Sequence, residues 1–299
     1  MTVDKPFVAT VRYVKRDETR DVNVKPYILH YAAPKGFPQN NFIIEPVHGI
    51  EIRNLRTAGL RYEDHGMAIA SVDSSGMQPE NFDDDEWIES VYLPRLHDSV
   101  CRTLGAQEMT VFDWMLRKRA PSFPKRAEGE ENVDAHQPSL SAHIDYTTAE
   151  LDSRVDRYFG EEKDKMLSRK YQVIKYGGIS SLSVPFLDPK SVDPNKDLLK
   201  VDEVFPTVAN EVFQIHHNPN HKWYYIPDQL DSEVAIFNAY DSDKGQSFAV
   251  PHCSFDLGEA GSGIPRHSIE VRAFVFTEMA RVSDEVDAHA MHNAYVSIY

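Results

Sequence analysis

A mainly β architecture with a few flanking helices, built on a double-stranded β-helix (jelly-roll, cupin-like) core, is the fold this 299-residue sequence predicts. Three observations lead there. Apolar and polar residues alternate through much of residues 7 to 72, with Pro, Gly and Asn between the runs, which is strand-and-turn chemistry. Short apolar runs recur at 109–116, 171–186 and 234–240, too brief for helices and rich in β-branched and aromatic residues. Finally, His143 and Asp145 stand two apart on an apparent strand, so their side chains share a face and point together into a sheet or barrel interior.

Taken in order, Phe7–Tyr13, Asn41–Val47 and Met67–Val72 read as the first strands. Asp83–Glu86 places carboxylates in the first turn of a helix, where they suit the positive end of its dipole; that helix continues to about Leu104 and stops at Gly105. Residues 109–116 form a strand, and Arg117–Pro138, rich in Pro, Gly and charge, reads as a lid-like loop running directly into His143. Thr148 or Asp152 is positioned to cap a helix through about Arg169. Strands follow over 171–186, a loop with turns over 187–204, and a core strand over 234–240. The expected organisation is one domain across 1–299: 1–105 packs on the barrel, 106–280 forms the core, and 281–299 is a C-terminal helix or tail.

A formal net charge of −15 argues against nucleic acid or an anionic membrane as partner, because phosphate recognition needs basic patches. Mean hydropathy of −0.48, with no apolar run near the roughly 20 residues of a bilayer span, fits a soluble protein. The N-terminus shows no basic-then-apolar signal, and the two cysteines, Cys101 and Cys253, do not make a disulfide framework. These features predict a cytoplasmic location; monomer and homodimer both remain open.

With 13 histidines and 47 acidic residues, about two His-x-Asp/Glu triplets arise by chance, so the single one here carries weight only with its context. His143 and Asp145 supply two thirds of the 2-His-1-carboxylate set that holds non-haem iron(II) with open positions. The third ligand is assigned to His252, within Phe248–Phe255, which precedes the basic strand Pro265–Phe276. His216, His217 and His221 lack the spacing or cysteines of a zinc site and read as a surface loop; His289 and His292 read as an exposed helix face.

Several stretches together resemble the iron(II)/2-oxoglutarate-dependent oxygenases, and among them the fungal gibberellin-desaturase-like hydroxylase/desaturase group of secondary metabolism. They are Leu104-Gly105-Ala106 with Val111-Phe112-Asp113, Ala142–Thr147, His221–Pro227, Phe237–Ser242, Pro251–Phe255 and Pro265–Arg272. The resemblance runs over nearly the whole chain. One departure is clear: after Tyr171–Ile174 the family usually continues Asn-Val-Trp-Arg-Pro, whereas here Lys175-Tyr176-Gly177-Gly178-Ile179 follows. The resemblance implies Fe(II), 2-oxoglutarate and O2 as cofactors and co-substrates, and oxidation of a small organic substrate by hydroxylation, desaturation or ring formation. A non-catalytic partner subunit of the same fold, and a cupin-type metal enzyme using no 2-oxoglutarate, are the alternatives.

The distal carboxylate of 2-oxoglutarate needs a fixed cation, for which the planar fork of arginine is suited. Arg266, Ser268, Glu270 and Arg272 share strand parity. The Arg-x-Ser spacing after the distal histidine is similar to that of the resembled superfamily, which implies Arg266 with Ser268 as the anchor and leaves Arg272 as ion-pair partner of Glu270 or as second choice. Tyr146, Trp223, Asn238 and Tyr240 are placed at the substrate pocket or in the core beneath it. Lys175 shares a strand face with Val173, so its ammonium either enters the barrel to meet an anion or snorkels to solvent. The candidate anions are a substrate carboxylate, 2-oxoglutarate, or an acid such as Glu270.

Overall fold

Strands dominate, as the alternation requires. The computed structural model describes residues 6–21, 23–118, 141–178, 184–254 and 267–277. The early strands are β1 (Phe7–Val14), β2 (Tyr27–Leu29), β3 (Ile44–Asn54), β4 (Met67–Ser71) and β5 (Glu108–Lys118). After them come β6 (His143–Ile144), β7 (Tyr171–Gly178), β8 (Phe186–Leu187), β9 (Leu198–Val204), β10 (Ala209–Ile215), β11 (Trp223–Tyr225), β12 (Glu233–Asp241) and β13 (His267–Phe276).

They assemble as β1-β3-β11-β8, β2-β9-β10-β6 and β4-β12-β7-β13-β5. The first two groups join through His252, whose backbone bridges His143 of β6 and Phe186 of β8. The amide of His143 donates to His252 O at 3.0 Å, and that of His252 donates back at 2.9 Å. One long curved wall results, and the five-stranded sheet faces it across the interior. Trp223, Tyr13, Ile52 and Ile144 fill the apolar cluster of the first wall.

The five-stranded sheet is covered at both faces, which is why Val234–Ala239 of β12 are buried without alternation. Helix residues Ile88, Tyr92, Leu96 and Val100 pack against Ile236, Val271 and Ala273, while Leu151 and Val155 pack on Phe274. Full burial of each such side chain contributes about 1.5–3 kcal/mol.

Short α1 (Tyr62–His65) ends at Gly66, whose φ is 68°. A Cβ there would stand 3.0 Å from Val250 Cγ2 and 3.2 Å from Phe248 O, so this position needs glycine on both counts. The helix expected from the acidic cluster is present as α2 (Asp85–Trp87), a π-turn over Ile88–Tyr92, and α3 (Leu93–Leu104). Asp84 caps it by accepting from the amides of Glu86 and Trp87. Pro94 has no amide to give to the carbonyl one turn back, which accounts for the slip into the π-turn. Gly105, at φ 64°, ends the helix as expected.

Three expectations are corrected. The helix after the site strand, α4 (Thr148–Phe159), is capped by Thr147, not by Thr148 or Asp152, and breaks at Gly160–Glu162 before α5 (Lys163–Leu167). The loop expected over 187–204 contains β9, held by seven-residue pairing to β10 that local pattern does not reveal. Arg117 belongs to β5, not to a loop, because β13 pairs with β5 through Lys118. The rest of the expected lid and the C-terminal tail lie outside the described residues. Among the described residues no helix is long and apolar enough to cross a membrane.

Candidate active site

The β6 segment puts His143 and Asp145 on the interior face while Ile144 turns into the apolar cluster of the wall. His252 is aligned beside them by its backbone bridge to His143, and the two imidazole rings lie 4.4 Å apart between centroids. One ligand atom from each of His143, Asp145 and His252 lies within 4.8 Å of the others. His143 Nε2 is 3.3 Å from Asp145 Oδ1, and His252 Nε2 is 3.7 Å from it.

Both rings are oriented from behind. His143 Nδ1 is 2.8 Å from Ser141 O and His252 Nδ1 is 3.3 Å from Val250 O. A carbonyl only accepts, so Nδ1 donates in each ring and Nε2 faces the interior. Burial, then the Lys175 ammonium and His143, push the His252 pKa well below the usual histidine range, so its imidazole is neutral. Burial alone would raise the Asp145 carboxyl; the Lys175 ammonium, 2.7 Å from Oδ2, overrides it and holds Asp145 well below the usual carboxylate range. Two imidazoles offering Nε2 and one carboxylate, converging on one point, are a donor set that fits iron(II).

The opposite sheet brings charge. Lys175 on β7 is paired across strands with Phe237 of β12 and Arg272 of β13. Its side chain is 3% exposed, so it enters the barrel and does not snorkel. Nζ lies 2.7 Å from Asp145 Oδ2, 3.0 Å from Glu270 Oε1 and 3.1 Å from His252 Nε2. Glu270 also accepts from Arg117 Nε at 2.9 Å and from Arg272, which in turn pairs with Asp113. Against the effect of burial, Arg117, Lys175 and Arg272 hold the Glu270 carboxyl far down.

Of the residues expected at the co-substrate site, Arg266 lies outside the described residues, Ser268 is half-buried on β13, and Arg272 is buried in its ion pairs. Trp223 is fully buried, its indole N–H donating to the Tyr13 hydroxyl at 2.7 Å, so it belongs to the wall's core. Asn238, also fully buried, donates to Tyr240 O at 3.0 Å across the irregularity in β12. Tyr146 is buried beneath the Arg154 guanidinium, and half-buried Tyr240 stacks on Tyr171. Sequence reasoning missed Asp113 and Arg117. Their shared parity on one strand was visible, but ending that strand at Leu116 hid it.

His216, His217 and His221 do not form a surface loop. His221's side chain is 2% exposed and sits 3.3 Å from Asp197 Oδ2, while His216 Nδ1 donates to Val14 O at 2.9 Å.

A family profile described as an oxidoreductase/YMDC permease-like domain matches residues 11–276. The chain is 26% identical over 269 residues to the alpha-ketoglutarate-dependent dioxygenase tstK of Talaromyces stipitatus, covering 83% of this chain and 95% of that one. It is likewise 26% identical over 271 residues to the Fe(II)/2-oxoglutarate-dependent dioxygenase nvfI of Aspergillus novofumigatus, covering 86% and 93%. A solved structure of the iron and alpha-ketoglutarate-dependent endoperoxidase NvfI superposes with a TM-score of 0.74 at 22% identity, over 91% of this chain and 98% of that one. That likeness establishes the shared fold.

Proposed function

The chain belongs to the oxidoreductase/YMDC permease-like domain family, and from that premise we infer that it is an iron(II)- and 2-oxoglutarate-dependent dioxygenase. Its reaction is oxidation of an unactivated C–H bond of a small, secondary-metabolite-type substrate, by hydroxylation, desaturation or ring formation. The observation that carries this reading is the convergence of His143, Asp145 and His252 within 4.8 Å, with both imidazoles backed by carbonyls.

Iron(II), when bound with 2-oxoglutarate and O2, supplies the oxidising chemistry, in which the oxoacid leaves as succinate and carbon dioxide. His143 and His252 offer Nε2 and Asp145 offers a carboxylate oxygen; the carbonyls of Ser141 and Val250 keep the rings from rotating away. The Phe237 ring lies 4.6 Å from the His252 ring, with the Phe186 ring 4.9 Å from Phe237, and this apolar pair excludes water from that side. Among the described residues, Lys175, Arg117 and Arg272 face Asp145, Glu270 and Asp113 in the directly bonded cluster.

Arg266 is the proposed anchor of the distal carboxylate, with Ser268 beside it; Arg272, committed to Glu270 and Asp113, braces the strand. Lys175, Tyr146, Asn238 and Tyr240 are assigned to the substrate side, with Trp223 supporting the wall behind it. The same reading treats 1–299 as one oxygenase domain and places it in the cytoplasm, where the free thiols of Cys101 and Cys253 stay reduced.

The test is oxygen uptake by the iron-loaded protein in a substrate screen, with and without 2-oxoglutarate, following succinate. Uptake that requires 2-oxoglutarate and releases equimolar succinate is expected. Uptake indifferent to 2-oxoglutarate would turn the reading to a cupin-type enzyme. Arg266→Ala is expected to raise the 2-oxoglutarate KM by about tenfold or more, because a charge-assisted bidentate pair is worth at least about 1.4 kcal/mol.

A further inference from the structure

Lys175 is buried on β7, and its ammonium has three N–H donors. Nζ is ion-paired with Asp145 Oδ2 at 2.7 Å and Glu270 Oε1 at 3.0 Å, and hydrogen-bonded to the acceptor His252 Nε2 at 3.1 Å. The stem is fixed on β7 between β12 and β13, and the Phe237 ring lies 5.8 Å from Nζ. Two of the three acceptors belong to the proposed ligand set. The Nε2 lone pair that receives the Lys175 proton is the only one His252 can offer inward, since Nδ1–H is turned to Val250 O. One lone pair cannot serve an ammonium and a metal ion together.

We propose that Lys175 is an internal counter-cation that closes the ligand set in the metal-free protein and must withdraw from His252 when a divalent ion enters, so that metal binding is an exchange of cations. The proposal rests on the ligand assignment made above. Withdrawal has a destination, because Glu270 already contacts Nζ and lies on β13, beside β7. Glu270 is braced there by Arg117 and Arg272, so it can hold the ammonium without itself moving. Two consequences follow from the contacts. The metal-free protein has no uncompensated buried carboxylate at Asp145, and so is stabilised without its ion. Metal affinity is lowered by the work of breaking the Lys175 contacts and by repulsion between the ammonium and the incoming ion.

Mn(II), which resists oxidation, is titrated into metal-free wild type, Lys175→Met, Lys175→Gln and His143→Ala, with free Mn(II) read by electron paramagnetic resonance; each protein's Tm is measured with and without Mn(II). Both lysine variants are expected to bind Mn(II) about tenfold tighter or more. Their metal-free Tm should fall, and their gain in Tm on adding Mn(II) should exceed that of wild type. Lys175→Gln keeps a polar side chain of similar reach and serves if Lys175→Met does not fold. A lower Tm with an unchanged or weaker Mn(II) Kd in the folded lysine variants, while His143→Ala abolishes binding, overturns the exchange and leaves Lys175 a structural ion-pair partner. Binding undiminished in His143→Ala overturns the ligand assignment, and the exchange with it.

Discussion

Around Asp145 and around Asp197 the chain buries a carboxylate beside histidines, and the two are wired differently. Asp197, fully buried, is saturated: Arg16 Nη2, Asn218 Nδ2 and the Asp193 amide each donate to it at 2.9 Å, and His221 adds a contact at 3.3 Å. The histidines there are taken one by one. His216 is tied to Val14 O, His217 meets the Tyr13 ring edge-on at 5.1 Å, and His221 is spent on Asp197. Around Asp145 each imidazole is anchored through Nδ1, and the Nε2 atoms converge on the same carboxylate oxygen. The residue types match; what separates a staple from a binding site is whether lone pairs are consumed locally or left to converge.

That contrast is most directly tested by metal binding. His252→Ala should lower Mn(II) affinity by more than the roughly 10–100-fold that loss of an outer-shell partner produces, as measured by calorimetric titration, whereas His221→Ala should leave it unchanged. Equal losses in both would erase the distinction.

Next in size is the cost of opening the staple. Asp197→Ala removes the acceptor from three donors and an imidazole, and should destabilise the protein by about 3–5 kcal/mol in urea unfolding while Mn(II) affinity stays within about twofold. A Tm close to wild type would show that the saturated carboxylate holds nothing.

The smallest effect concerns Glu211 of β10, which bonds Lys25 Nζ at 2.6 Å and accepts from the Thr147 hydroxyl that caps the helix following Asp145. Burial would raise the Glu211 pKa, but Lys25 and Thr147 override it and bring it from 4.5 down to about 2. A depressed carboxylate adds stability that is complete above its unfolded pKa, near pH 4.5, and is lost as the pH falls towards 2. Glu211→Gln should therefore flatten the fall in stability between those pH values, read as urea midpoints at acid and neutral pH. A slope as steep as that of wild type would move the pH sensitivity to other groups.

Much of this molecule was legible along the chain. Parity placed His143 and Asp145 on one face with Ile144 behind them, and the same rule grouped Lys175 with Val173 and Glu270 with Arg272, leaving open whether Lys175 enters the barrel or snorkels to solvent. The acidic cluster before Trp87 and the glycine at 105 marked both ends of the long helix, since capping is a contact between residues a few positions apart. Even the option that Lys175 meets Glu270 could be written down, because a buried ammonium must meet an anion.

Partner choice could not be read in this way. Arg272 meets Asp113 across 159 positions, and Lys175 meets His252 across 77. His221, sited in a turn-rich stretch, is buried because β10 and β1 close over it. Strand 198–204 exists because β10 lies beside it. Local pattern by itself determined which faces are apolar, where helices begin and stop, and which residue types point inward, because those follow from backbone period and side-chain chemistry. Only the tertiary structure decided which inward groups touch, because that is set by sheet register and by closure of long loops, and neither leaves a periodic trace in the sequence.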